Sequence, residues 1–357
     1  MRTIPNLLPC LLGAAMGLSS TDAAEPPGPR ASATRPASVF QRKTFKMPSG
    51  KSWNYALYVP PQYDRDPQHK WPLILFLHGS GECGTDGLKQ TRVGLPAYIA
   101  RHADQFPFIT VMPQAHTLWY RGEDAAAAWA ILEAVRTSYR VDPDRMYLTG
   151  LSMGGFATWE FAMSRPDVFA AAVPVCGRGD PTYAGNIRHL PIWAFHGRLD
   201  KNVPVSGSRK PIEALRRLGA EPKYTEFPQT SHVCWDLAYS NKALYRWLLR
   251  HRRAPPPRVI DYRLPGPLAR VWWLTAQART NLKKPAHIRA EVTEDGQVSL
   301  QSEGVVGWSI ISADEPLKPG DRIRVTWNGK PVFDGTFDGG LFFRPTPRAR
   351  SRPTSRP

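Results

Sequence analysis

The 357-residue sequence predicts an α/β fold in which a mostly parallel sheet is flanked by helices and followed by a small antiparallel β region. Three observations carry this expectation. From about residue 43 to residue 250, short apolar runs alternate with segments of helical spacing, the pattern of a parallel sheet with crossover helices. Residues 73–77 (Leu-Ile-Leu-Phe-Leu) and 108–112 (Phe-Ile-Thr-Val-Met) are continuously apolar, as strands buried on both faces must be. At Arg253-Ala254-Pro255-Pro256-Pro257 the pattern changes, and about 80 residues of short alternating segments follow.

In chain order, residues 52–59 alternate and end at Pro60-Pro61, which predicts an antiparallel strand near the sheet edge. The two apolar runs are the central strands. Ala127, Ile131, Leu132 and Val135 recur at helical spacing between 123 and 139. Residues 145–149 form a buried strand after the turn signal Asp142-Pro143-Asp144. Residues 156–163 continue as a helix with no breaker before Pro166. Further strands fall at 170–175, 192–195 and 223–227, with helices near 208–218 and 236–250. In the C-terminal region, residues 287–292 and 322–327 alternate, and the second turns at Asn328-Gly329 into Val332 and Phe333, a tight-hairpin signal. Trp272, Trp273, Trp308 and Trp327 could offer a stacking platform, but Trp327 shares a face with Ile323 and Val325, which favours core packing.

The resulting organisation is a signal segment over 1–24, a Pro-rich lead over 25–39, an α/β domain over 40–252, a β domain over 257–341 and a basic tail over 342–357. The signal reading rests on Arg2, an apolar run over 7–18 and small residues up to Ala23 and Ala24. That run is shorter than the ~20 residues of a membrane span, so an exported protein, periplasmic or extracellular, without a stable membrane anchor is expected. Cys10 precedes most of the run and does not suit lipid attachment. Removal of the segment leaves Cys83, Cys176 and Cys234, which allow at most one internal disulfide; buried free thiols are the plainer alternative.

The net charge of +17 raises a polyanionic partner. The excess is spread along the chain, so no nucleic-acid groove is expected. Arg250-His251-Arg252-Arg253 suits a helix C-terminus, and the acid-free tail suits solvent.

Gly150-Leu151-Ser152-Met153-Gly154 lies between a predicted strand and a predicted helix. A serine on such a turn sits in strained backbone, and small residues two before and two after it let strand and helix approach. Its hydroxyl becomes a nucleophile only when an imidazole takes its proton and a carboxylate orients the imidazole. His232 follows the last strand and precedes the last helix. Asp200 follows the strand at 192–195, at the sheet edge where such folds build sites. Asp180 and Asp236 compete for the acid's place, and spacing leaves His116 and His189 open as bases; His78 and His196 stand at strand ends where structural imidazoles are common. An oxyanion needs backbone donors: the amide of Met153 is one, and Ser80, with Gly81 as the alternative, supplies the second from the loop His78-Gly79-Ser80-Gly81-Glu82-Cys83-Gly84. That loop lacks the lysine-serine or lysine-threonine ending of a nucleotide loop, and no cluster has metal-ligand spacing. Neither cofactor nor metal is implied.

Together, His78-Gly79-Ser80-Gly81-Glu82, Gly150-Leu151-Ser152-Met153-Gly154-Gly155, Pro174-Val175-Cys176-Gly177, His196-Gly197-Arg198-Leu199-Asp200 with Val203-Pro204, and His232 with Trp235 resemble the α/β-hydrolase esterases. They are most similar to the branch of feruloyl and acetyl-xylan esterases and polyhydroxybutyrate-depolymerase-like proteins. The resemblance spans about residues 40–252. It implies cofactor-free hydrolysis of carboxylic esters through an acyl-serine, with Arg178 and Trp235 as substrate-binding candidates. Ser231 stands where this family often has glycine, and Arg178 where a smaller residue is common. The β region resembles accessory sandwiches of exported esterases.

Only 47 residues separate Ser152 from Asp200, which leaves little chain for a lid. An open site suited to esters on bulky or polymeric substrates, such as plant or microbial polysaccharide or polyester, is therefore expected. A serine peptidase of the oligopeptidase type shares the constellation, but the short stretch before the first strand leaves no room for a propeller gate. A binding protein on a degenerate fold is the third reading.

Overall fold

Alternation along a single strand sets the architecture. In β3 (Trp71–Leu77), Leu73, Leu75 and Leu77 enter one hydrophobic core while Ile74 and Phe76 enter another, so both faces of the strand are covered. The structure, a computed structural model, describes residues 39–119, 122–311 and 315–344. The expected signal segment, nearly all of the Pro-rich lead and the tail beyond residue 344 lie outside the described residues.

The remaining elements of the first sheet are β1 (Gln41–Lys46), β2 (Ser52–Tyr58), β4 (Ile109–Pro113), β5 (Val141–Leu151), β6 (Ala171–Val175), β7 (Trp193–Gly197) and β8 (Lys223–Phe227). Their order is β1-β2-β4-β3-β5-β6-β7-β8. β2 runs antiparallel to β1 and β4, and the strands from β4 to β8 are parallel. The fold is that of an α/β hydrolase. Helices α2 (Gly122–Ser138), α3 (Met153–Ser164) and α4 (Ser206–Arg217) cover one face; α1 (Leu95–His102), α5 (Trp235–Ser240) and α6 (Lys242–Leu249) cover the other.

Several elements depart from the sequence reading. β1, largely polar and exposed, is an added edge strand, and α1 is an added helix. Asp142-Pro143-Asp144 lies inside β5 rather than before it, at an irregular register against β3. The expected single helix over 236–250 is broken at Asn241, whose side chain accepts the Ala243 amide at 3.0 Å and starts α6 anew. Arg252 and Arg253 do not serve a helix C-terminus; they pair with Asp142 and Asp144 at 3.0–3.5 Å.

The C-terminal strands form two sheets around one core. β9 (Val259–Arg263), β12 (His287–Val292), β13 (Gln297–Glu303), β15 (Arg322–Trp327) and β16 (Lys330–Thr336) make five strands in the order β16-β15-β13-β12-β9. β10 (Leu268–Val271), β11 (Leu274–Ala278), β14 (Val305–Ile311) and β17 (Gly340–Phe343) make four. Neighbouring strands are antiparallel except β13 and β15, which run parallel. Asn328 and Gly329 both take positive φ, the geometry of a two-residue hairpin turn. Trp327 packs edge-on against Trp308 and Phe343 and gives its indole hydrogen to Ser302, so it belongs to the packing of this region.

The β region is fastened to the first sheet's helices. The Asn186 side chain donates to the Arg263 carbonyl at 2.8 Å and accepts the Arg263 amide at 2.9 Å. Tyr262 donates to the Ser164 carbonyl at 2.8 Å at the end of α3.

Candidate active site

Ser152 sits between β5 and α3 with φ 52° and ψ −117°, a conformation that costs a non-glycine residue of order 1–3 kcal/mol. The surrounding backbone holds it there. A Cβ on Gly154 would lie 1.9 Å from the Leu77 carbonyl oxygen, so this position admits no side chain. The Ser152 amide donates to the Val175 carbonyl at 3.0 Å, tying the turn to the end of β6.

Asp200 and His232 reach the serine from adjacent loops. A Cβ on Gly197 would meet the Ser231 carbonyl at 2.0 Å, so the loop carrying His232 lies directly on the end of β7. The amides of Arg198 and Leu199 donate to the Phe227 and Thr230 carbonyls at 2.9 and 3.0 Å, joining the two loops. His232 Nδ1 is 2.7 Å from Asp200 Oδ2, and His232 Nε2 is 2.9 Å from Ser152 Oγ. A carboxylate can only accept, so Nδ1 carries the hydrogen and, in the neutral ring, Nε2 accepts from the serine hydroxyl.

Asp200 is buried, and its other oxygen, Oδ1, accepts the amides of Asn202 and Val203 at 2.9 and 2.8 Å. Beneath it lies a second imidazole. His196 is fully buried, with Nε2 3.0 Å from the Val203 carbonyl and 3.2 Å from Asp200 Oδ2, and Nδ1 2.8 Å from Ser208 Oγ. Burial lowers its pKa from the ordinary value. Because both neighbours of Nε2 only accept, Nε2 carries the hydrogen, and the Ser208 hydroxyl donates to Nδ1. The sequence placed His196 at a strand end; its contact with Asp200 is a through-space relation that spacing did not reveal.

The loop after β3 lies beside the serine: a Cβ on Gly79 would be 3.6 Å from the Ser152 Cβ. Ser80 opens a short 3-10 turn, Ser80–Glu82. That turn's bonds use the amides of Glu82 and Cys83, while Ser80 and Gly81 come too early in it to be paired by it. Met153 is the first residue of α3, so its amide has no carbonyl one turn earlier within the helix. His78 anchors the loop, accepting the Ala115 amide at Nε2 (3.0 Å) and facing the Gly79 carbonyl from Nδ1 (2.6 Å). Burial brings its pKa down to about 4.

The competitors stand elsewhere. Asp180 accepts the Thr182 amide at 2.9 Å as a turn cap, and Asp236 is exposed on the first turn of α5. His116 stacks on Trp53 with centroids 4.9 Å apart, and His189 lies 4.9 Å from Trp272 of the β region. Trp235 meets the His232 ring edge-on at 5.6 Å, and the Arg178 guanidinium lies 5.8 Å from the Phe156 ring centroid. The exposed apolar side chains Leu199, Val233 and Leu237 adjoin Asp200, His232 and Trp235 in the chain.

All three described cysteines are free thiols. Cys176 and Cys234 are buried, and burial with the neighbouring Cys234 thiol pushes Cys176 well above the ordinary range. Cys83 donates to the Thr117 carbonyl at 3.1 Å. Among the described residues no cluster of three or more His, Cys, Asp or Glu side chains could hold a metal ion.

Fold and strained serine define the class: the chain has the α/β-hydrolase fold, with a serine on the strained turn between β5 and α3. More particularly, residues 53–179 match the family model described as Esterase PHB depolymerase. The chain is similar to a probable feruloyl esterase C of Aspergillus niger, 28% identical over 189 residues that cover 51% of this chain and 67% of that protein. It is also similar to an uncharacterized secreted protein of Arthroderma benhamiae, 26% identical over 261 residues, which cover 60% of this chain and 27% of that protein. The chain thus spans about a quarter of the length of that secreted protein and about two thirds of the feruloyl esterase. A solved structure described as a thermostable esterase superposes with a TM-score of 0.56 at 34% identity, covering 60% of this chain and 64% of that one.

Proposed function

We propose that the protein is an exported serine hydrolase that cleaves carboxylic esters carried on bulky or polymeric substrates. The observation that carries this reading is the unbroken line of contacts from Ser152 Oγ to His232 to Asp200, at 2.9 and 2.7 Å. In the reaction, Ser152 Oγ attacks the ester carbonyl while His232 Nε2 takes its proton, and Asp200 holds the imidazolium that forms. The amides of Met153 and Ser80 receive the oxyanion. Collapse expels the alcohol, which takes the proton back from His232 and leaves an acyl-serine. Water, deprotonated by His232, then releases the acid and restores the serine.

Polymeric substrates are supported by the esterase family match and by the exposed apolar residues adjoining the site in the chain. Arg178 and Trp235 are assigned to substrate contact beside the serine. Export is supported by the signal-like N-terminal sequence, and among the described residues no helix is long and apolar enough to cross a membrane.

The test compares hydrolysis of p-nitrophenyl acetate and butyrate by the wild type and by Ser152→Ala. Esterase action through Ser152 predicts a loss of about 10⁴-fold or more in kcat. Equal rates, or none from either protein, would reject the proposal. A peptide anilide hydrolysed faster than the esters would shift the assignment to a peptidase.

A further inference from the structure

A cavity of about 750 Å³ is lined from Phe156 onward along α3, one helical turn beyond Ser152, whose carbonyl accepts the Phe156 amide at 3.0 Å. Its walls come from α3, the segment after β6, the start of α4 and Pro265 of the β region. The volume lies within the ~300–1,000 Å³ range of ligand pockets. Two features set its chemistry. Arg178, Lys210 and Asp180 all line it, yet among the described residues no ion pair engages any of the three. Trp159, also in the lining, is 1% exposed, and its indole N–H has no hydrogen-bond partner.

The cavity therefore presents cationic donors, the Asp180 carboxylate and the aromatic ring of Tyr183 to whatever enters it, with Glu160 a second carboxylate in its wall. A polyester chain offers carbonyl and ether acceptors but no donors. It would desolvate Asp180 without replacing its bonds to water, and an unpaired polar group is costly to bury. A sugar hydroxyl both donates and accepts, so it matches Asp180 and Lys210 alike, and the apolar face of a pyranose ring can lie on an aromatic ring.

We infer that this cavity is a sugar-binding subsite that seats the glycan chain next to the ester-bearing unit, with the β region contributing Pro265 to its wall. It deepens the proposed function by favouring an ester-bearing polysaccharide over a polyester. Its catalytic test rests on that reading, whereas its binding test does not.

In the binding test, full-length Ser152→Ala protein is titrated calorimetrically with xylotetraose, cellotetraose, mannotetraose and arabinotetraose. Saturable binding of at least one is expected, weakened tenfold or more when Asp180→Ala and Lys210→Ala are added. No binding across the four sugars, or binding indifferent to the two changes, overturns the inference. Lys210→Met alone, at an exposed position, repeats the comparison with a smaller expected loss of about threefold if the double change impairs folding. In the catalytic test, the double change raises KM for acetylated xylotetraose about tenfold but KM for a hydroxybutyrate trimer less than twofold; equal shifts count against the subsite. Absence of p-nitrophenyl acetate hydrolysis by the wild type would instead reject the esterase reading, and the sugar titration would still decide the cavity.

Discussion

The two regions of the molecule bury different things. Among the described residues, 12 polar or charged side chains are buried in the region of the eight-stranded sheet, whereas Ser309 alone is buried in the β region. The β region has a dry core of alternating aliphatic and aromatic side chains, including Trp308, Ile310, Ile323 and Val325. The sheet region instead gathers His78, Asp124, His196, Asp200 and Ser208 around its loops, each with hydrogen-bond partners. Burial of such groups is unfavourable unless their bonds are made, so their concentration marks where the chain has given up simple packing for fixed geometry. The contrast teaches where to look for chemistry: at crowded strand ends with satisfied polar groups, rather than wherever tryptophans are abundant.

The largest effect should come from breaking the crowding itself. Gly154→Ala would drive a methyl into the Leu77 carbonyl, so we expect loss of soluble folded protein or a fall in esterase rate of at least about 100-fold. Ester hydrolysis and circular dichroism of the purified variant test this. A folded variant with wild-type rate would mean that the turn tolerates a side chain.

A smaller effect is expected from the buried network. His196→Leu removes the N–H near Asp200 and should lower kcat about 10–100-fold with little change in KM, because it acts on the orientation of Asp200 rather than on substrate. His196→Gln, which can place an N–H in a similar position, should recover most of the loss. The downfield resonance of the His232 Nδ1 proton should move in the Leu variant; an unmoved resonance with intact kcat would make His196 a packing residue only.

Smaller still is a pH effect on stability. His78 has its pKa depressed by burial from 6.5 to about 4, so the folded state resists the proton that the unfolded state accepts. Stability from this group is complete above pH 6.5 and is lost as pH falls towards 4, by about 3 kcal/mol. Burial lowers His196 in the same direction. Urea unfolding between pH 7 and 4 should therefore show a stability loss that is flatter in His78→Gln. Hydrogen exchange should locate that loss in the sheet region and leave the β-region core protected; an identical slope in the variant would sever the link between His78 and acid sensitivity.

Much of this was legible in the sequence where the physics is local. Residues 73–77 and 108–112 read as central strands because a strand covered on both faces must be continuously apolar. The serine turn was legible because its glycines are demanded by contact between strand and helix. By contrast, β1 has too few apolar residues to announce itself and exists by pairing with β2. The break at Asn241 depends on one side chain choosing the Ala243 amide over solvent. His196 beneath Asp200, and the gathering of Arg178, Asp180 and Lys210 around one cavity, are products of the fold that no spacing rule encodes.

The central claim is that Ser152, activated by His232, forms a covalent acyl intermediate. Treatment with a fluorophosphonate ester followed by peptide mass spectrometry tests it most directly. We expect the gain of a single phosphonyl group, confined to the peptide carrying Ser152, and at least about a 100-fold slower gain in His232→Ala. Modification at another residue, or equal labelling of Ser152→Ala, would contradict the account.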